Sequence, residues 1–239
     1  MIKVVTSEER HTSCKGPIHS ELSFSFSDYD DPSNTHFGCL LALNDNIVAP
    51  GEGIKAHPHH DLEIVTYVVS GTLRHGDDRG NTQDLETGSL QVMSAGTGIS
   101  HSESNPSEHH PVRFIQMWFL PSQRDLLPAW DSRSYSQEER MGELKPLVSG
   151  KVNDNNLRLN QDINIYVPIL ESGKELNIAG CGKRRTHLFL LSGHVDLHAE
   201  TQKFSLNPGD TARIKNTDDL IIRSTGSGES AEIIIIDLP

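Results

Sequence analysis

Apolar and polar positions alternate along this chain in short runs, and the runs predict strands. Residues 20–27 set Leu22, Phe24 and Phe26 on one face and serines on the other, the pattern of a half-buried strand. Residues 37–43 predict a second, after the turn-rich stretch from Asp28 to Asn34. Asp28, Asp30 and Asp31 lack the glycine and distal glutamate of a calcium loop, so that stretch reads as a solvated turn. Residues 62–69 are almost continuously apolar, which predicts a strand covered on both faces. Strands are expected again at 72–77, 90–93 and 112–120, and the small, glycine-bearing stretch 94–100 suits a tight bend. Helical periodicity is nearly absent. The expected fold class is all-β, built as an antiparallel barrel or jelly roll.

Residues 121–150 change character, with Pro121, Pro128, Pro146 and the charged run Gln137 to Arg140, and read as a connection with one short helical turn. Strands resume at 163–170, 176–178, 187–191, 195–198 and 232–238. An internal repeat then decides the organisation. The stretch from Tyr67 to Leu73 resembles that from Phe189 to Val195, and Leu85 to Ser89 resembles Leu206 to Asp210, at offsets of about 121 to 122 residues. The chain is expected to be two tandem copies of one barrel: residues 1–130, a connection at 131–150, and residues 151–239.

Candidate chemistry lies in the first copy, in His57-Pro58-His59 and His101-Ser102-Glu103. Residues two apart on a strand face one way, so two neighbouring strands can present four ligands together. Three imidazoles and a carboxylate suit iron, nickel, copper, manganese or cobalt better than a thiolate-rich zinc site, and leave a six-coordinate metal two open positions. Carried across the repeat, His57 and His59 land near Ala179 and Cys181, and His101 and Glu103 near Ile222 and Ser224. The second copy is therefore expected to lack a metal, with His187, His194 and His198 as surface or packing residues.

A formal net charge of -12 argues against nucleic acid and anionic membranes as partners and favours a small ligand. The first residues turn acidic too early for a signal peptide, and no stretch nears the roughly 18 apolar residues of a membrane helix. A cytoplasmic monomer is expected, and the three cysteines Cys14, Cys39 and Cys181 fit reduced, unpaired thiols.

Gly51, His57, His59 and Glu63, followed by Gly88, His101 and Asn105, resemble the two cupin motifs, although Gly71 falls one residue late. More specifically, Phe24-x-Phe26-x-x-Tyr29-x-Asp31-Pro32, the run from His57 to Glu63 and the run from Met93 to Glu103 resemble the signature of the pirin family. The likeness spans the chain but is thin after Leu120. It implies two tandem cupin barrels, the second metal-free, with His57, His59, His101 and Glu103 holding a metal, most often Fe(II), with Ni, Cu, Mn, Co or Zn as alternatives. It also implies a quercetin dioxygenase, as in bacterial pirins, or a nuclear regulator with iron as a redox switch, as in animal ones. Other cupins use the glutamate at the position of Glu63, but on a regular strand Glu63 lies about 13 Å beyond His59, at roughly 3.3 Å per residue, which favours Glu103.

Tyr67 and Gln116 are candidates for groups beside the site. Phe24, Phe26, Met93 and Trp118 either line a pocket or fill the barrel. His60 points away from its neighbours, and His75 and the Glu108-His109-His110 cluster are expected to be solvated. The function that follows is cleavage of a quercetin-like flavonol by dioxygen with release of carbon monoxide, Glu103 acting as the general base. The alternative is a metal-bearing regulator of a protein partner. An open apolar cavity of several hundred Å³ beside the metal is the feature that separates the two.

Overall fold

The computed structural model describes residues 1–151, 155–179 and 181–239, apart from the Cys181 side chain. Their contacts divide into two compact units, one of residues 11–135 with 157–161, the other of residues 1–10, 136–156 and 162–239. The first strand, β1 (Ile2–Val5), thus belongs with the C-terminal half, where it pairs with Thr211–Lys215. The connection expected at 131–150 holds the rest of a strand, Ala129–Ser134, and then the short helix Gln137–Arg140, whose first turn is capped by the Ser136 hydroxyl.

The first unit runs β2 (His11–Lys15), β3 (Ile18–Leu22), β4 (Leu40–Val48), β5 (Gly53–His59), β6 (Glu63–Ser70), β7 (Thr72–Asp77), β8 (Thr82–Glu86), β9 (Ser89–Ser94), β10 (Ile99–Ser104), β11 (Val112–Phe119) and β12 (Ala129–Ser134). A seven-stranded sheet takes the order β12-β9-β6-β11-β4-β3-β2, and a four-stranded sheet the order β5-β10-β7-β8. Val48, Val68 and Phe114 from the large sheet pack on Leu73 and Leu85 from the small one. This is a jelly roll made of two sheets rather than one continuously bonded cylinder.

The second unit repeats the order. Its large sheet runs Ile2–Val5, Thr211–Lys215, Arg185–Ser192, Ala231–Leu238, Asn164–Tyr166, Val148–Ser149, and its small sheet Glu175–Ala179, Asp219–Ser224, Val195–Ala199, Gln202–Leu206. Arg185–Ser192 stands where β6 stands, Ala231–Leu238 where β11 stands, and β1 takes the edge that β12 takes in the other unit. Leucine and isoleucine fill the core between these sheets, among them Leu188, Leu197, Ile222 and Ile233.

Two expected strands begin or end elsewhere. The alternation at 20–27 is a strand only to Leu22, because Ser25 N–H turns to the carbonyl of Asn34 and Ser27 adopts a φ of 57°. The strand expected at 37–43 starts at Leu40, after Phe37 and Leu40 exchange backbone bonds in a tight reversal. Among the described residues no helix is long and apolar enough to cross a membrane.

Candidate metal centre

The two histidine-bearing strands are hydrogen-bonded neighbours. His101 on β10 lies opposite His57 on β5, and Ile99 opposite His59. After His101 the register slips, so that Glu103 faces Ile54, a bulge that presses β10 against β5. Gly53 permits this approach. A Cβ there would lie 2.6 Å from the Glu103 carbonyl oxygen and 2.7 Å from the Ser104 Cα. The bend that delivers β10 relies on Gly96, with φ 46° and a virtual Cβ 2.0 Å from the Leu126 carbonyl oxygen.

The rings of His57, His59 and His101 converge, with centroids 4.6 to 5.0 Å apart. One nitrogen from each lies within 4.8 Å of the others. The remaining nitrogens tell what the group is suited to. Among the described residues, Nε2 of His59 and both ring nitrogens of His101 are buried without a hydrogen-bond partner, an arrangement that costs free energy unless something fills the lone pairs. His57 Nδ1 lies 2.9 Å from the Lys55 carbonyl oxygen, which fixes that nitrogen as the donor and leaves Nε2 as a lone pair. Burial, then the neighbouring His57, pushes His59 down to about 4. Burial, then His57 and His59, pushes His101 down to about 3. At neutral pH both therefore present neutral nitrogens, the form a metal requires. The donor set fits a divalent transition ion.

Glu103, 1% exposed, lies outside that triangle of nitrogens. Gln91 Nε2 donates to its Oε1 at 3.1 Å and Gln116 Nε2 to its Oε2 at 2.7 Å. Burial raises it to about 7 against the lowering pull of Gln116, Gln91 and Thr66. These three donors stand abreast, because Gln116, Thr66 and Gln91 are register partners on β11, β6 and β9. Tyr67, one residue on from Thr66, faces the other side of the sheet by strand alternation and is buried. Gln116 is where the sequence reading put it; Thr66 and Gln91 were legible only as polar positions inside apolar runs.

Glu63 is also buried, but its Oε2 accepts from the Ser94 hydroxyl at 2.8 Å and from the Asn160 N–H at 3.0 Å. Its proton affinity is raised by burial, which the Asn160 and Ser94 bonds oppose.

His75 is a correction. It is fully buried rather than solvated, stacked on Trp130 at 5.0 Å and 5.5 Å from the His101 ring, with Nε2 3.4 Å from Asp77. The bonding of β7 to β10 sets His75 opposite Glu103 and so turns it inward. His60 and the Glu108, His109 and His110 side chains are exposed, as expected. Phe24 and Met93 are core, whereas Phe26 and Trp118 line a cavity of about 220 Å³ that reaches His57 and Gln116. That is smaller than the several hundred Å³ that would enclose a flavonol.

Comparison with known proteins is consistent along the chain. Residues 5–119 match the family model described as Pirin, and residues 146–238 the quercetinase C-terminal cupin domain. An Escherichia coli protein named quercetin 2,3-dioxygenase is 32% identical over 240 residues, covering 100% of this chain and 99% of its own. The crystal structure of the bacterial pirin YhhW from Escherichia coli in complex with nickel(II) superposes with a TM-score of 0.92 at 30% identity, covering 100% of this chain and 99% of that one. A quercetin 2,3-dioxygenase from Acinetobacter baumannii shares the fold, with a TM-score of 0.74 at 18% identity over 95% of this chain and 83% of its own.

Proposed function

Because the chain belongs to the pirin family, we propose that His57, His59, His101 and Glu103 hold one divalent metal, Fe(II) or nickel, and that the protein is a dioxygenase cleaving quercetin-like flavonols. The observation that carries this reading is the set of converging, buried imidazole nitrogens without partners among the described residues, with Glu103, aimed by two amides, two residues along β10 from His101. The name of the Escherichia coli relative supports the substrate class.

A metal at this position supplies Lewis acidity and a place for dioxygen to meet an electron-rich ring. The protein supplies the rest. Trp118 and Phe26, edge to face at 4.9 Å, give the cavity its apolar wall. A cavity of 150 Å³ holds benzene, so about 220 Å³ seats one ring of the flavonol while the remainder lies in the mouth. Glu103, aimed by its two amides, is placed to take the proton of the flavonol hydroxyl. Gln91 and Gln116 keep its oxygens directed inward throughout. As the two atoms of dioxygen bond to C2 and C4 of the flavonol, the O–O, C2–C3 and C3–C4 bonds break, and C3 leaves with its own oxygen as carbon monoxide.

The test is oxygen uptake and carbon monoxide release by protein loaded with nickel or Fe(II) and given quercetin, both lost in His101→Ala. Neither gas changing in the loaded protein would reject the reading. The modest cavity favours one rival, a metal-bearing regulator without turnover, and the same measurement separates them.

A further inference from the structure

The second unit lacks the histidines but keeps a cavity. Like the one beside His57 it has a volume of about 220 Å³. It opens at the corresponding place within its own barrel. The first cavity is lined from β2, β3, β4, β5 and β11 and by Phe26 and Ser27; the second shares three of those places, being lined from Asn164–Tyr166, Glu175–Ala179 and Ala231–Leu238, the counterparts of β4, β5 and β11, and from Thr186 at the start of the β6 counterpart. Small barrels ordinarily fill such space with their own side chains. Here leucines and isoleucines pack the barrel below, while the mouth stays open.

We propose that this cavity is a second small-molecule site, and that it takes an uncharged, single-ring phenol. Three features set the class. Ile235, Ile178, Leu144 and Tyr166 give it apolar walls, and by volume it admits one substituted ring but not a flavonol. Thr186 is 2% exposed and lines the cavity, where it offers a hydroxyl to a ligand.

Charge excludes the acidic alternatives. Arg184 donates through Nε to Asp237 at 2.7 Å and through Nη1 to Asp162 at 2.9 Å. Its Nη2 is held by the Asp162 carbonyl at 2.8 Å, and Asn164 Nδ2 donates to the second oxygen of Asp237 at 3.0 Å. Of the groups lining the cavity Arg184 and Asp237 offset one another, and every nitrogen of Arg184 is already bonded to Asp237 or to Asp162 outside the lining, so a carboxylate ligand meets Asp237 with no cation left to pair with. A phenol hydroxyl can donate to the remaining lone pairs of Asp237, accept from Thr186, and lay its ring on the isoleucines.

Resorcinol titrated into the full chain, followed by calorimetry, tests this. One saturable site is expected, at least tenfold weaker for benzoate. Ala179→Trp closes the mouth from an exposed rim position and is expected to abolish the binding. Thr186→Val keeps the shape without the hydroxyl and should weaken it about tenfold. Circular dichroism establishes that each variant is folded, and nickel titration that the His57 cluster is unaltered. No saturable binding, benzoate bound as tightly as resorcinol, or unchanged affinity in either folded variant overturns the proposal.

Discussion

The indole N–H of Trp118 donates to Oε1 of Gln116 at 3.0 Å, and this one bond decides which end of the amide meets Glu103. With its oxygen occupied, Gln116 can offer only its Nε2 to the carboxylate. Trp130 does the same for Gln91, also at 3.0 Å. The two tryptophans of the chain thus aim two amides at the two oxygens of one acid. Groups that orient ligands from behind are typically worth 10 to 100-fold in metal affinity. Trp118→Phe and Trp130→Phe, which keep a ring and remove the donor, should each weaken nickel binding about tenfold by calorimetry. Unchanged affinity in both would show that the amides need no such fixing.

Glu103→Gln should change how stability depends on pH. Burial lifts Glu103 from 4.5 to about 7. Between those values the folded chain keeps a proton that the unfolded chain has released, so this group costs stability as pH rises through the window. At roughly 1.4 kcal/mol per unit the cost reaches about 3 kcal/mol above pH 7. His59 and His101, lowered from 6.5 to about 4 and about 3, act with the opposite sign, and their contribution grows as pH rises toward 6.5. The substitution removes only the first effect. Metal-free Glu103→Gln should match the unsubstituted chain below pH 4.5 and gain on it steadily up to neutrality, as read from urea midpoints; parallel profiles would refute the assignment.

The two buried glutamates should separate cleanly. Glu63→Ala leaves the Asn160 N–H and the Ser94 hydroxyl without their acceptor, a loss of about 1–3 kcal/mol. Its carboxylate is committed to those groups, so nickel content should stay at one per chain. Glu103→Ala should lower nickel content instead. Elemental analysis beside urea unfolding reads both, and loss of nickel from Glu63→Ala would reverse the roles.

How much of this was readable beforehand depends on the distance over which each residue is determined. The pairs His57/His59 and His101/Glu103 were legible because alternation on a strand is local. So was the repeat, since Ser70-Gly71 and Ser192-Gly193 both mark turns between strands in equivalent places. His75 was not legible. Nothing nearby says that β7 lies against β10, and only that pairing turns the ring inward onto Trp130. Gln91 and Thr66 were hidden likewise, as their meaning comes from standing abreast with Gln116 on three strands distant in sequence.

The first strand is the extreme case, and it yields a test of its own. Ile2 pairs with Ile214 and Val4 with Ala212, more than two hundred residues away, and both side chains rest partly buried on the C-terminal core. Fully burying such a side chain is worth about 1.5–3 kcal/mol, so deleting residues 1–5 should cost the C-terminal unit roughly 2–4 kcal/mol. It also uncovers the backbone edge of Thr211–Lys215, a template for pairing between chains. The truncated protein should therefore unfold at lower urea and form concentration-dependent oligomers by light scattering. The donors around Glu103 come from other strands, so nickel affinity should be unchanged. Loss of nickel binding without loss of stability would mean that the strand serves the first unit after all.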